Sequence, residues 1–403
     1  MKPSGLLGWA TRPRRMALAV CGAVAFTAAL AAWLGGTTPA SPRAKLADSA
    51  TVDGVRMAVL VTPTDDVQRQ TALGAAQDLW SESPLAPTLA LVVTPGGRRS
   101  LEAAGLDVTV IDPDIDAAAA AERARIDAPG ANKPTGFFAE YKRFEAIDAY
   151  LDTLTDAAPS IASVQTIGHS LEGRPIRAIR ISNAGPDAPA FVINGGLHAR
   201  EWISVMTTTC IADRLVRRYG SDGAVDELLD RMAVYIVPVA NPDGYVYSWY
   251  SDRYWRKNRR DGHGVDLNRN YPLAFARKGS SDQPASPIYH GTHPFSEPES
   301  VALRDLIRRL PVQLHIDYHS FSQLVLYPWT HTVAAAPGKK DLAARATTMA
   351  GAIKATHGED YKVIEGARLY PASGTLMDWV YGEREAASFV VELRPRRGDG
   401  FVL

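Results

Sequence analysis

Residues 190–219 constrain the fold more than any other stretch. They run from the apolar segment AFVIN through Gly195 and Gly196 into a polar turn, and then into a long helix-like segment from 202 to 219. A short apolar run bounded by glycines and followed by a helical period reads as a strand handing over to a helix. Two adjacent glycines let the backbone turn tightly at that junction. The alternation continues on both sides, with strand-like runs at 178–182, 234–239, 313–318 and 389–393 and helix-like stretches at 144–154 and 296–310. It predicts an α/β fold: a mixed, largely parallel central sheet with helices on both faces, and a ligand site at the carboxyl ends of the strands.

At 403 residues the chain has room for more than this unit. Upstream lies a smaller pattern of strand (55–61), helix (65–80), strand (88–93), helix (98–104) and strand (108–111), the signature of a small α/β sandwich. It carries no clustered His, Cys or Ser with a partner base. An alanine-rich helical stretch (115–125) follows, and then DAPGANKPTG, a Pro/Gly-rich linker that an activating protease could cut. At the start, Arg12, Arg14 and Arg15 precede an apolar run (16–34) and small, turn-forming residues. That order predicts a signal peptide, with Thr38-Pro39-Ala40 as a cleavage site; the alternative is an uncleaved anchor, because a membrane helix needs about 20 apolar residues. The division expected is therefore 1–44 signal or anchor, 45–126 propeptide-like domain, 127–136 linker and 137–403 catalytic domain.

Lys+Arg and Asp+Glu both number 44, so no basic field points to nucleic acid and no acidic excess points to disorder. Cys21 lies in the apolar N-terminal run, which leaves Cys210 alone once that run is removed. No internal disulfide can then form, and core packing or a metal must hold the fold together.

Two His–Glu pairs share one spacing, His198/Glu201 in GGLHAREW and His169/Glu172 in GHSLEGRP. The first follows a strand directly and leads into a helix, the place where an α/β site is expected. The second sits in a Gly/Ser/Arg/Pro loop between short apolar runs and reads as a surface hairpin. A catalytic zinc takes three protein ligands and keeps a position for water, so one more is needed. His263, His290, His293, His331 and His357 fall in turn-like segments and are expected at the surface. His315 and His319, in LHIDYHSFSQ, share one face of a strand; His319, at the carboxyl end, is the better placed, and the residues alone leave both open. Glu392, between Val391 and Leu393, is costly to bury without a purpose and reads as functional or paired with Arg394.

Together these stretches resemble the zinc metallocarboxypeptidases of the pancreatic carboxypeptidase A/B type. The motifs GHSLEGRPI, GGLHAREW, PVANPDGY, YWRKNRR, GVDLNRNYP, FSEPE, DYHSFSQLVLYP, YPASGTLMDW and FVVELR occur in the family's order across residues 139–401. The resemblance implies one zinc ion bound by His198, Glu201 and His319, with Asp266 orienting the first histidine. It implies Glu392 as the catalytic carboxylate and Arg256 as the group that polarises the scissile carbonyl. Asn268, Arg269 and Tyr370 would hold the substrate's terminal carboxylate, and Arg200 would line an outer subsite. Met377 matches the floor of the specificity pocket, where an apolar residue goes with hydrophobic or aromatic C-terminal residues; Thr330 matches a smaller residue in the pocket wall. The family normally continues past a point equivalent to Leu403 into a last helix, and its extracellular members carry a disulfide missing here. Residues 51–114 resemble the propeptide more loosely, which implies a latent, secreted enzyme acting on peptide or protein C-termini. Membrane association is expected only if the N-terminal run is retained. The rivals are a cell-wall peptide carboxypeptidase on the same fold and an inactive peptide-binding protein.

Overall fold

The computed structural model describes residues 54–81, 83–128, 136–396 and 400–401. The expected signal or anchor, the site at Thr38-Pro39-Ala40, Cys21 and residues 129–135 of the linker lie outside the described residues.

The N-terminal part contains β1 (Met57–Val61), α1 (Asp66–Ala75), β2 (Asp78–Leu79), β3 (Leu89–Val93), α2 (Pro95–Ala103) and β4 (Thr109–Asp112). Its strands form an antiparallel sheet in the order β2-β3-β1-β4. Local chemistry starts both helices: the Asp65 carboxylate accepts from Gln68 N, and the Thr94 hydroxyl accepts from Gly97 N ahead of Pro95. The helix read from the sequence over 65–80 is shorter than expected. It stops at Ala75, and Asp78–Leu79 becomes an edge strand paired with Leu91 and Val92. Tertiary pairing there overrides helical propensity. Helix α3 (Ile115–Asp127) follows, capped by Asp114.

The remainder contains α4 (Phe144–Ala157), β5 (Ala162–His169), β6 (Pro175–Ile181), β7 (Ala190–Asn194), α5 (Trp202–Arg218), α6 (Gly223–Leu229), β8 (Ala233–Val237) and α7 (Pro242–Tyr250). After a long loop region come α8 (Pro298–Arg309), β9 (Val312–Ser320), β10 (Leu324–Tyr327), α9 (Lys339–His357), β11 (Lys362–Glu365), α10 (Gly366–Leu369), α11 (Leu376–Arg384) and β12 (Ala387–Leu393). The eight strands are ordered β11-β10-β12-β9-β7-β8-β6-β5. The central neighbours β12, β9, β7 and β8 run parallel, while β10, β6 and β5 join antiparallel. The sheet is mixed with a parallel centre, as the alternation predicts.

Alternate side chains of the central strands feed two cores. Phe191, Ile193, Ile316, Tyr318, Phe389 and Val391 pack with α4, α5 and α9 on one face. Ala190, Val192 and Val312 pack with Leu303, Leu306, Leu376 and Trp379 of α8 and α11 on the other. All five residues of β7 are buried, as expected of a strand covered on both faces, which explains its apolar run.

Candidate metal centre and active site

The turn after β7 is shaped by its two glycines. A Cβ on Gly195 would lie 2.7 Å from the Ser204 carbonyl oxygen; one on Gly196, whose φ is +62°, would lie 2.8 Å from Val205 Cγ2. The loop can therefore rest directly on the first turn of α5, where Gly196 N donates to Ser204 Oγ at 2.9 Å. Ala240 N and Asn241 N donate to the carbonyls of Gly195 and Gly196, both at 3.0 Å, tying the turn to the end of β8. Glu201 occupies the N-cap of α5 but makes no side-chain capping bond. Its carboxylate points instead toward β9, where Ser320 N donates to Oε2 at 3.2 Å.

His198, Glu201 and His319 offer ligand atoms within 4.8 Å of one another, all buried. His198 Nδ1 lies 2.9 Å from Glu201 Oε1, His319 Nδ1 lies 3.0 Å from Glu201 Oε2, and the two Nδ1 atoms are 3.0 Å apart. Each histidine turns its other nitrogen to a carboxylate: His198 Nε2 to Asp266 Oδ1 at 3.2 Å, His319 Nε2 to Asp317 Oδ2 at 2.8 Å. With the protons on Nε2, two imidazole lone pairs and a carboxylate converge on one point. Such atoms cannot satisfy one another, and a divalent cation between them can. The surrounding field also favours positive charge: burial opposes it at His319, yet Asp317 and Glu201 raise that imidazole's pKa well above its ordinary value. Two histidines and one glutamate form a zinc donor set of the open, catalytic kind. These residues fit the ion.

Asp266 organises the next ring of groups. It caps a short 3₁₀ turn (Leu267–Arg269) by accepting from Asn268 N at 2.9 Å through the oxygen that faces His198. Its other oxygen lies 3.1 Å from Arg256 Nη2 and 4.0 Å from Arg269 Nη1. Burial works against its charge, but Arg256 and Arg269 prevail and hold the carboxyl well below the usual range. Arg256 Nη1 stands 3.9 Å from Glu201 Oε1. Arg269 is further fixed by Nε to Gly279 O and Nη1 to Asn268 O, both 2.8 Å. Asn268 Oδ1 accepts from Leu376 N, which ties this turn to the start of α11.

Glu392 lies on β12 in direct parallel register with His319. It is buried, on the face of the sheet that carries His319, at the carboxyl end of its strand. Met377, in the first turn of α11, is buried among Leu324, Leu326 and Val390. Thr330 Oγ1 donates to Asp378 at 2.7 Å and lies 2.9 Å from Thr375 Oγ1. Tyr370 and Arg200 face the N-terminal part. Tyr370 packs against the core of the small sheet, around Val59, Leu79 and Leu91. Arg200, fully buried, donates to Asp78 Oδ2 at 3.0 Å and to Leu79 O at 3.2 Å, both on β2.

His169 lies at the end of β5, and β5 and β6 form the expected hairpin, with Gly173 at φ +83° in the turn. One expectation fails: His290 is buried, its Nδ1 2.7 Å from Gly291 O, because the loop carrying it folds back over Asn270. His263, His331 and His357 are half-buried, and His293 is exposed. His315 is buried and lies away from the ligand atoms, 2.8 Å from both Ser388 Oγ and Asn194 Oδ1; burial pushes it down to about 4. Asp317 went unrecognised in the sequence, although the alternation in HIDYH places it on the face of His315 and His319.

The profile of the peptidase M14 family, zinc carboxypeptidase, matches residues 147–403. Mouse (Mus musculus) carboxypeptidase A4 is 36% identical over 329 residues, 79% of this chain and 78% of that protein. Carboxypeptidase B of the crayfish Astacus astacus is also 36% identical, over 273 residues, 65% of this chain and 89% of that protein. The solved structure of thrombin-activatable fibrinolysis inhibitor superposes with a TM-score of 0.78 at 28% identity, covering 87% of this chain and 93% of that one. With this fold and the clustered His-Glu-His donors, the chain belongs to the zinc carboxypeptidase family: it is a metallocarboxypeptidase, a peptide hydrolase whose cofactor is zinc and whose substrates are peptide C-termini.

Proposed function

We propose that this enzyme removes hydrophobic or aromatic C-terminal residues, with His198, Glu201 and His319 as zinc ligands and Glu392 as general base and acid. The observation that carries the mechanism is the register of β9 and β12, which sets a buried carboxylate beside the last ligand. Zinc, when bound, supplies Lewis acidity and lowers the pKa of water to about 7. Glu392 takes a proton from the attacking water and returns it to the leaving amine, which general acid–base catalysis makes worth about 10²–10⁴-fold. Arg256, held by Asp266 and set beside Glu201, presents positive charge where the carbonyl oxygen becomes negative. Arg269, Asn268 and Tyr370 hold the free α-carboxylate, which an internal peptide bond lacks; a guanidinium binds it with paired hydrogen bonds. Asp266 keeps His198 and both arginines in register.

The side-chain preference rests on Met377, whose apolar setting of Leu324, Leu326 and Val390 offers no charge to a basic or acidic substrate. An A-type and a B-type relative match at the same identity, so the pocket lining bears the argument. Latency is the second element. Residues 45–126 are read as a propeptide, and β2 occupies Arg200 while the small sheet's core covers Tyr370. Trp80 stacks on Tyr254 with ring centroids 4.8 Å apart, and Glu122 pairs with Arg253. Cleavage in 127–136 would release these contacts. Residues 1–44 are read as the export signal of a secreted enzyme, a point that N-terminal sequencing of the exported protein decides.

Glu392→Gln in zinc-loaded, linker-cleaved protein is the test of mechanism. Zinc content should be unchanged and kcat should fall at least about 100-fold; full activity would refute the role. Matched peptides ending in Phe, Leu, Arg and Glu test the preference, and a best substrate ending in Arg would overturn it.

A further inference from the structure

The polar groups beneath the metal site continue well beyond the ligands. His315, Asp317 and His319 alternate along β9 and so share one face. In the neighbouring strands Asn194 stands opposite Asp317, and Ser388 opposite His315. His315 Nδ1 is 2.8 Å from Ser388 Oγ, His315 Nε2 is 2.8 Å from Asn194 Oδ1, and Asn194 Nδ2 is 2.6 Å from Asp317 Oδ1. Asp317 Oδ2 is 2.8 Å from His319 Nε2. All five residues are buried.

The direction of this chain is fixed from one end. A carboxylate only accepts, so Asn194 must turn its NH₂ to Asp317 and its oxygen to His315. His315 must then carry its proton on Nε2 and accept from the Ser388 hydroxyl at Nδ1. Burial keeps His315 neutral, consistent with one donor and one acceptor nitrogen. At the other end Asp317 Oδ2 stands 2.8 Å from His319 Nε2, a contact that favours the proton on Nε2 and leaves the Nδ1 lone pair facing Glu201 and His198.

We propose that Asp317 is a positioning residue that sets the tautomer and ring orientation of His319, and that Asn194, His315 and Ser388 form a one-directional relay holding Asp317 in place. The inference rests on the reading of His319 as a zinc ligand. It explains why a histidine, an asparagine and a serine are buried on a sheet face otherwise packed by Val192, Leu376 and Trp379. Each is satisfied only as part of the chain.

The test uses the full-length, zinc-loaded protein with two readouts, zinc affinity by chelator competition and ¹⁵N–¹H spectra of the histidine side chains. Asp317→Ala should weaken zinc binding about 10–100-fold, the usual cost of losing the partner of a ligating histidine. Asp317→Asn should do something more specific. To keep accepting from His319, the new amide must offer its NH₂ to Asn194, which reverses that amide and moves the His315 proton from Nε2 to Nδ1. A His315 proton that stays on Nε2 in Asp317→Asn overturns the relay, and this holds even if Asp317→Ala fails to fold. Asp317→Ala with zinc affinity within about threefold of the parent, while His319→Ala abolishes binding, overturns the positioning role and leaves the ligand assignment standing. If His319→Ala itself binds zinc normally, the ligand assignment is what fails.

Discussion

Replacing Glu122 by alanine tests the proposed latency: it should raise the activity of the uncleaved protein without touching its chemistry. Glu122 lies on α3 and its carboxylate meets Arg253 Nε at 2.7 Å, with side chains 0% and 1% exposed. Breaking a buried ion pair by removing one partner costs about 3–5 kcal/mol. Arg253 retains some support, since Nη1 donates to Arg200 O at 2.8 Å, Nη2 reaches Phe401 O, and the guanidinium lies 3.5 Å from the centre of the Trp202 ring. The lower figure is therefore appropriate. When the N-terminal part lifts away Arg253 becomes solvated, so the loss falls on the docked state alone, and about 3 kcal/mol corresponds to roughly a 100-fold shift toward the open form. The assay compares initial rates of uncleaved and linker-cleaved protein on a peptide ending in Phe. Uncleaved Glu122→Ala should exceed the uncleaved parent by about 100-fold, capped by the rate of the cleaved enzyme, and the two cleaved proteins should be equal. The contact is dry, so salt should alter the result little. Uncleaved Glu122→Ala within about twofold of a silent parent would show that the pair does not hold the docked state.

Two further outcomes are expected. Removing zinc with a chelator should lower the melting temperature and zinc should restore it, because an ion at about 100 times its Kd contributes about 2.7 kcal/mol to the folded state; an unchanged melting temperature would count against the site. His315, pushed down to about 4 by burial against an ordinary 6.5, refuses a proton that the unfolded chain accepts. Its contribution is therefore complete above pH 6.5 and is lost as pH falls toward 4, by about 3 kcal/mol in all. Urea titrations of zinc-loaded His315→Gln between these limits should show a shallower loss than the parent, by about one proton, and equal slopes would refute it.

Much of the centre was legible because strand ends announce themselves. Ala190–Asn194 matches the observed β7 residue for residue, and the two glycines after it mark a backbone that touches α5. The hairpin carrying His169 was equally local, a turn whose Gly173 adopts a positive φ. Strands β2, β10 and β11 and helices α6, α7, α9, α10 and α11 went unread, and β5 was read only as an arm of that hairpin. β10 and β11 are four residues each and owe their pairing to distant neighbours, which no local period reveals. His290 misled because its burial comes from a loop folded over it, and loops carry no hydrophobic repeat.

The sequence by itself determined the α/β alternation, the strand-end placement of His198 and Glu201, and, through its ordered motifs, the family. What it left open from its residues alone was the choice between His315 and His319. They share a strand and a face, four residues apart, and differ only in what surrounds them in space. The tertiary structure places Asp317 and Glu201 against one, and Asn194 and Ser388 against the other. Burial opposes charge on both rings, but at His319 it is outweighed by Asp317 of the same strand and Glu201 of the turn after β7, whereas His315 meets uncharged partners from β7 and β12 and stays neutral. Spacing sets Asp317 two residues from both histidines; only the tertiary contacts decide that its carboxylate and that of Glu201 meet His319.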